Sequence, residues 1–186
     1  MRKCIPNILT VLRFLIVPLL LYAMFIYDQE GQALYSLFFF VLASLTDYVD
    51  GALARAWNVV SDFGKIMDPL ADKLLVLSAL AGLCWLPPYR LGWLIFTIIF
   101  IREAGISILR EVQHKRGIVV AASYLGKVKT VMQMFGIIFA LAAWAFLPAV
   151  SPALRIGVKI WFWIVVLITL FSGFNYLKAL FLREDR

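Results

Sequence analysis

Long apolar runs joined by short polar links constrain this chain before any motif is considered. A helix that crosses the hydrocarbon of a bilayer needs about 20 predominantly apolar residues. Several runs reach that length, and spans are expected over about 6–27, 32–55, 63–86, 92–112, 122–147 and 156–182. A soluble domain of 186 residues would carry more charge than this one, which is 63% hydrophobic with mean hydropathy +0.92. The expected fold is all-α, a polytopic membrane bundle of six transmembrane helices forming one domain over 1–186. The first run is too long for a signal peptide, and no small-residue cleavage site follows it. The net charge of +7 needs no nucleic acid. Arg2, Lys3, Arg55, Lys65, Arg110, Lys115, Arg116, Arg183 and Arg186 gather at one face, against Arg90, Arg155 and at most Lys159 at the other. The positive-inside rule then puts both termini in the cytoplasm. Cys4 and Cys84 should lie at opposite faces and so cannot pair.

Within this apolar background four carboxylates stand close together. Asp47 and Asp50 are three residues apart at the end of the second span; Asp68 and Asp72 are four apart near the start of the third. Both spacings put a pair on one helix face, and both pairs fall at the same membrane face. Burying an ionisable side chain in lipid is costly, so each is a candidate functional residue. A lone Asp near a helix end is more simply a capping or snorkelling residue, but four at helical spacing are not. Packed together they repel unless cations lie between them. Hard oxygen donors favour Mg²⁺ or Mn²⁺. Gly51 follows Asp50, and Gly64 lies one turn before Asp68; without Cβ, both admit a bulky ligand or a partner helix. Arg55, five residues past Asp50, is placed to meet a phosphate oxygen. Dications beside an arginine at the membrane surface suit a diphosphate, and two metals can stabilise the attacking and the leaving oxygen in displacement at phosphorus. A lipid-linked diphosphate fits, since its tails stay in the bilayer.

The pattern Asp47-x-x-Asp50-Gly51-x-x-Ala54-Arg55, eight residues, Gly64-x-x-x-Asp68-x-x-x-Asp72 resembles the signature of the CDP-alcohol phosphatidyltransferase family at every fixed position. Further stretches resemble its phosphatidylglycerophosphate synthase branch: Ile5-Pro6-Asn7-x-Leu9-Thr10-x-x-Arg13, Arg102-Glu103, Ser107-x-Leu109-Arg110 and Gly126-Lys127-x-Lys129-Thr130-x-x-Gln133-Met134. The resemblance implies a homodimer of six-helix subunits in a bacterial-type cytoplasmic membrane. It implies a CDP-diacylglycerol donor, an sn-glycerol 3-phosphate acceptor, and phosphatidylglycerophosphate and CMP as products. Asp47, Asp50, Asp68 and Asp72 would hold the metal, with Asp72 also the general base. Gly51 and Arg55 would meet the CDP part, with Asn7, Thr10 and Gly64 as further candidates.

The acceptor carries its own phosphate and needs cations, for which Arg102, Arg110, Lys127 and Lys129 are the candidates. Positive-inside placement alone would also explain such residues, Lys129 above all. Arg102 lies deeper and invites a buried partner such as Glu103. His114 is expected to be solvated, and Trp161-Phe162-Trp163 to form an interfacial belt. Three other readings compete. Inositol phosphate, serine or phosphatidylglycerol are alternative acceptors, because the core motif reports only the CDP-linked donor. A membrane prenyltransferase would show a second acidic motif, and none follows Asp72. A divalent-cation transporter would place its site near the midplane within a repeat, and no repeat is seen.

Overall fold

The computed structural model describes residues 4–27, 31–57, 62–115 and 124–184; within them the side chains of 4–8, 50, 53–57, 62–63, 65–66, 114–115 and 179–184 lie outside the description. These residues form six helices: α1 (Cys4–Phe25), α2 (Gln32–Trp57), α3 (Asp62–Trp85), α4 (Trp93–Lys115), α5 (Tyr124–Phe146) and α6 (Pro152–Glu184). Each expected apolar run is helical, and the ends follow local chemistry. Pro87 and Pro88 stop α3, and Arg90 and Gly92 turn the chain with φ of 43° and 107°. The turn is closed by N–H bonds from Leu91 to the Leu83 carbonyl (3.1 Å) and from Gly92 to the Cys84 carbonyl (3.2 Å). The buried Tyr89 hydroxyl donates to the Ala140 carbonyl at 2.8 Å and docks the turn on α5.

α6 starts earlier than the expected 156. Pro152 occupies its first position, where a missing N–H costs nothing. Ser151 caps it: its Oγ accepts from the Leu154 N–H at 3.2 Å, and its carbonyl from Arg155 at 3.0 Å.

α1 packs chiefly against α2 and α3, and α2 also rests on α5. α3 reaches both α4 and α5, while α6 packs on α4 and α5. Among the described residues α4 and α5 do not pack on each other. The core is apolar, with Leu20, Met24, Phe40, Leu80, Ile99 and Phe162 buried. At the α5–α6 contact Gly136 lets the Trp161 indole lie against the α5 backbone, where Nε1 donates to the Met132 carbonyl at 3.1 Å. The expected aromatic belt is thus corrected. Trp161 is half-buried and bonded, Phe162 is core, and only Trp163 faces outward. The Trp161 indole reaches an inter-helix carbonyl, which satisfies its N–H within the bundle.

Large apolar side chains cover the outward faces, among them Leu15, Phe38, Val131, Leu167 and Phe171. Ser36 and Ser44 spend their hydroxyls on carbonyls of their own helix, both at 2.8 Å. Such a bundle is an integral membrane protein. By length and composition three of the described stretches suffice to cross a membrane: Gln32–Val49, Tyr124–Phe146 and Pro152–Lys178. α3 and α4 fall short because they carry the charged residues considered next.

Candidate active site

Asp47, Asp68 and Asp72 lie where α1, α2 and α3 meet. The long packing of α1 on both partners brings two of its polar side chains to the carboxylates. The Thr10 hydroxyl donates to Asp68 Oδ1 at 2.5 Å. Arg13, fully buried, sets Nη2 2.8 Å from Asp47 Oδ1, while the Asp47 side chain is 46% exposed. A buried guanidinium needs a charged partner in a medium where its desolvation is not otherwise repaid. Asp72 is within electrostatic reach of Asp47 and Arg13 on one side and of Lys73 and Lys129 on the other.

The side chains of Asn7, Asp50 and Arg55 lie outside the described residues. Gly51 is half-buried on α2 and Gly64 buried on α3. Among the described residues no three His, Cys, Asp or Glu side chains form a ready ligand group. The chemistry of the donor set nevertheless suits a hard dication. It consists of carboxylates on two adjacent helices, with Asp47 open to solvent and already holding a cationic group.

The four cations expected at an acceptor phosphate do come together. α3, α4, α5 and α6 enclose a cavity of about 440 Å³, lined by Lys73, Arg102, Arg110, Lys127 and Lys129 with Asp72 and Glu103. Cations thus outnumber carboxylates on its wall, which suits an anion. The cavity exists because α4 and α5 stand apart.

Polar contacts knit its wall. Arg102 Nη1 lies 3.2 Å from Glu103 Oε1, and Nη2 donates to Ser172 Oγ of α6 at 2.9 Å. Lys129, buried on α5, ion-pairs with the same Glu103 oxygen. Lys73 Nζ donates to Ser107 Oγ, and Ser107 donates to the Glu103 carbonyl at 2.5 Å. Arg110, exposed, places its guanidinium carbon 5.8 Å from the Tyr176 ring centre, a cation–π distance. Lys127 is exposed at the rim.

Sequence reasoning missed Lys73, the Arg13–Asp47 pair and the Lys129–Glu103 bridge. Lys73 had a signal, its position next to Asp72 inside a span. Arg13 had one too, since an intramembrane cation calls for a partner. The bridge had none, because it depends on the gap between α4 and α5. Cys84 is buried and free.

Comparison with known proteins adds the identity of the scaffold. The family profile described as CDP-alcohol phosphatidyltransferase matches residues 3–174. A Rickettsia felis protein named CDP-diacylglycerol–glycerol-3-phosphate 3-phosphatidyltransferase is 36% identical over 179 residues, covering 95% of each chain. Its namesake in Rickettsia typhi is 34% identical over 179 residues, covering 95% of this chain and 97% of its own. A Mycobacterium tuberculosis protein named probable phosphatidylglycerophosphate synthase is 36% identical over 174 residues, covering 92% of this chain and 79% of its own. A match of this extent, over a bundle that sets an acidic corner beside a cationic cavity, places the chain in the CDP-alcohol phosphatidyltransferase family.

Proposed function

We propose that this enzyme transfers the phosphatidyl group from CDP-diacylglycerol to sn-glycerol 3-phosphate, giving phosphatidylglycerophosphate and CMP. The observation that carries the reading is Asp72. It belongs to the carboxylate corner by sequence spacing and lines the cationic cavity with Arg102, Arg110, Lys127 and Lys129. The names of the relatives supply both substrates, and a cavity of about 440 Å³ with surplus positive charge suits a small phosphate ester.

The acceptor phosphate binds among the cations, which leaves its hydroxyl end directed toward Asp72. As that oxygen attacks the lipid-side phosphorus, Asp72 takes the proton. The bond from that phosphorus to the CMP oxygen breaks, and CMP leaves. Asp47, Asp50, Asp68 and Asp72 would hold Mg²⁺ or Mn²⁺, most simply as a pair of ions. Bound there, divalent metal would supply charge neutralisation for the diphosphate. Thr10 fixes the Asp68 carboxylate and Arg13 fixes Asp47, so α1 orients both. By their places in the motif, Gly51, Gly64, Arg55, Asn7 and Thr10 are assigned to the CDP part.

The same reading takes all six helices as membrane spans, with both termini and the site at the cytoplasmic face of a bacterial-type cytoplasmic membrane, and the working unit as a homodimer. The charged halves of α3 and α4 then face the site rather than lipid.

The test separates binding from chemistry. Asp72→Asn keeps the size of the side chain but cannot accept a proton. Turnover measured as CMP release should fall by roughly 10²–10⁴, the usual worth of a positioned base. Calorimetric binding of CDP-diacylglycerol should stay within a fewfold of the native protein. Near-normal turnover in this variant would remove Asp72 from the role of base.

A further inference from the structure

Glu103 is an anion built into the wall of a cavity whose other features attract anions. One oxygen, Oε1, meets both Arg102 and Lys129. The side chain is 14% exposed and that of Lys129 only 5%. The Lys129 contact spans α4 and α5, which do not pack on each other among the described residues. It therefore closes no packed interface; both of its side chains line the cavity read above as the acceptor site. Arg102 has a second anchor in Ser172, so it stays in place if Glu103 turns away. Lys73 is held separately, through Ser107.

We propose that Glu103 is an internal competitor that sets the cavity's affinity for phosphate. Its carboxylate occupies Lys129 and Arg102 until an acceptor phosphate replaces it, and it reclaims them as the phosphorylated product leaves. The proposal rests on the reading of this cavity as the acceptor site.

The physical reason is exchange. Without Glu103, the buried Lys129 and the half-buried Arg102 would face the cavity without this partner, and any anion entering would gain their full attraction in a poorly screened site. Free inorganic phosphate would then block the cavity, and a product that keeps its phosphate would leave slowly. With Glu103, an incoming phosphate gains only the difference between its own contacts and those of the carboxylate it displaces. A doubly charged phosphate with three acceptor oxygens still gains; the net affinity is held down.

The experiment uses the full chain in detergent with CDP-diacylglycerol as donor. KM for glycerol 3-phosphate and the inhibition constant of inorganic phosphate are measured for the native protein, Glu103→Gln, Lys129→Gln and Arg110→Ala. Glu103→Gln should lower both constants, by roughly tenfold for one charge-assisted contact no longer in competition, and kcat should not rise. If Glu103→Gln does not fold, Glu103→Asp is read instead. Its shorter reach loosens the Lys129 contact and should shift both constants the same way, by less. Unchanged or raised constants in the readable variant overturn the proposal and leave Glu103 a cross-link between helices. If Lys129→Gln and Arg110→Ala also leave both constants unchanged, the acceptor reading of the cavity fails as well. If those two weaken binding while the Glu103 variant does not strengthen it, only the competitor role fails.

Discussion

Arg110 and Lys127 show how a residue's position sets what can be asked of it. Both are exposed at the cavity rim, and Arg110 is steadied by the Tyr176 ring. They can meet an incoming phosphate without first breaking a buried pair, unlike Lys129. Arg110→Ala or Lys127→Ala should therefore raise KM for glycerol 3-phosphate with little change in KM for the donor. The loss of one charge-assisted contact is worth about 1.5–3 kcal/mol, or about ten- to a hundredfold. Steady-state kinetics in both substrates checks this, and a change confined to the donor would count against it. The carboxylates were legible in the sequence because Asp at three- and four-residue spacing declares a shared helix face. Their partners were not. Arg13, a cation inside a span, signalled the need for a partner, but that the partner is Asp47 follows only from α1 packing on α2. Lys73 was passed over although it stands next to Asp72, and its partner Ser107 comes from α4, 34 residues away.

Among the elements, α3 joins the two halves of the site. Asp68 turns to α1, whereas Asp72 and Lys73 turn to the cavity between α3, α4, α5 and α6. The other helices must hold that cavity open without closing it. α5 and α6 do so through a tight contact at Gly136. A Cβ there would lie 2.6 Å from Trp161 Nε1 and 3.3 Å from Phe162 Cζ. In lipid, helices associate through such close packing rather than through the hydrophobic effect. Gly136→Ala should therefore destabilise by about 1–3 kcal/mol, as overpacking does. Gly157→Ala on α6, where a Cβ meets nothing within 4 Å, should be neutral or slightly stabilising, since Ala favours helix by up to about 1 kcal/mol over Gly. Thermal melting of both variants in detergent makes the comparison; equal melting temperatures would show that the contact is not tight. Helix existence was legible from apolar run length, while the boundaries were less so: α4 runs on to Lys115, past the expected 112. Pro148 to Pro152 reads as a turn, yet proline is welcome at a first helical position, and α6 begins at Pro152.

The whole molecule divides its labour across the bundle. Carboxylates on α2 and α3, oriented by α1, form an acidic corner, and a cationic cavity on α3 to α6 suits a small phosphate. A single-substrate hydrolase or an ion conduit would need only the first. On the proposed reading the cavity selects glycerol 3-phosphate as the acceptor. Purified protein in detergent, given labelled CDP-diacylglycerol and Mg²⁺, should release CMP when glycerol 3-phosphate is present and form a labelled lipid bearing a phosphate monoester. With serine, inositol phosphate or phosphatidylglycerol in its place, release should stay at the level seen with no acceptor. Release driven equally well by serine, inositol phosphate or phosphatidylglycerol, or release independent of any acceptor, would rule out selection of glycerol 3-phosphate.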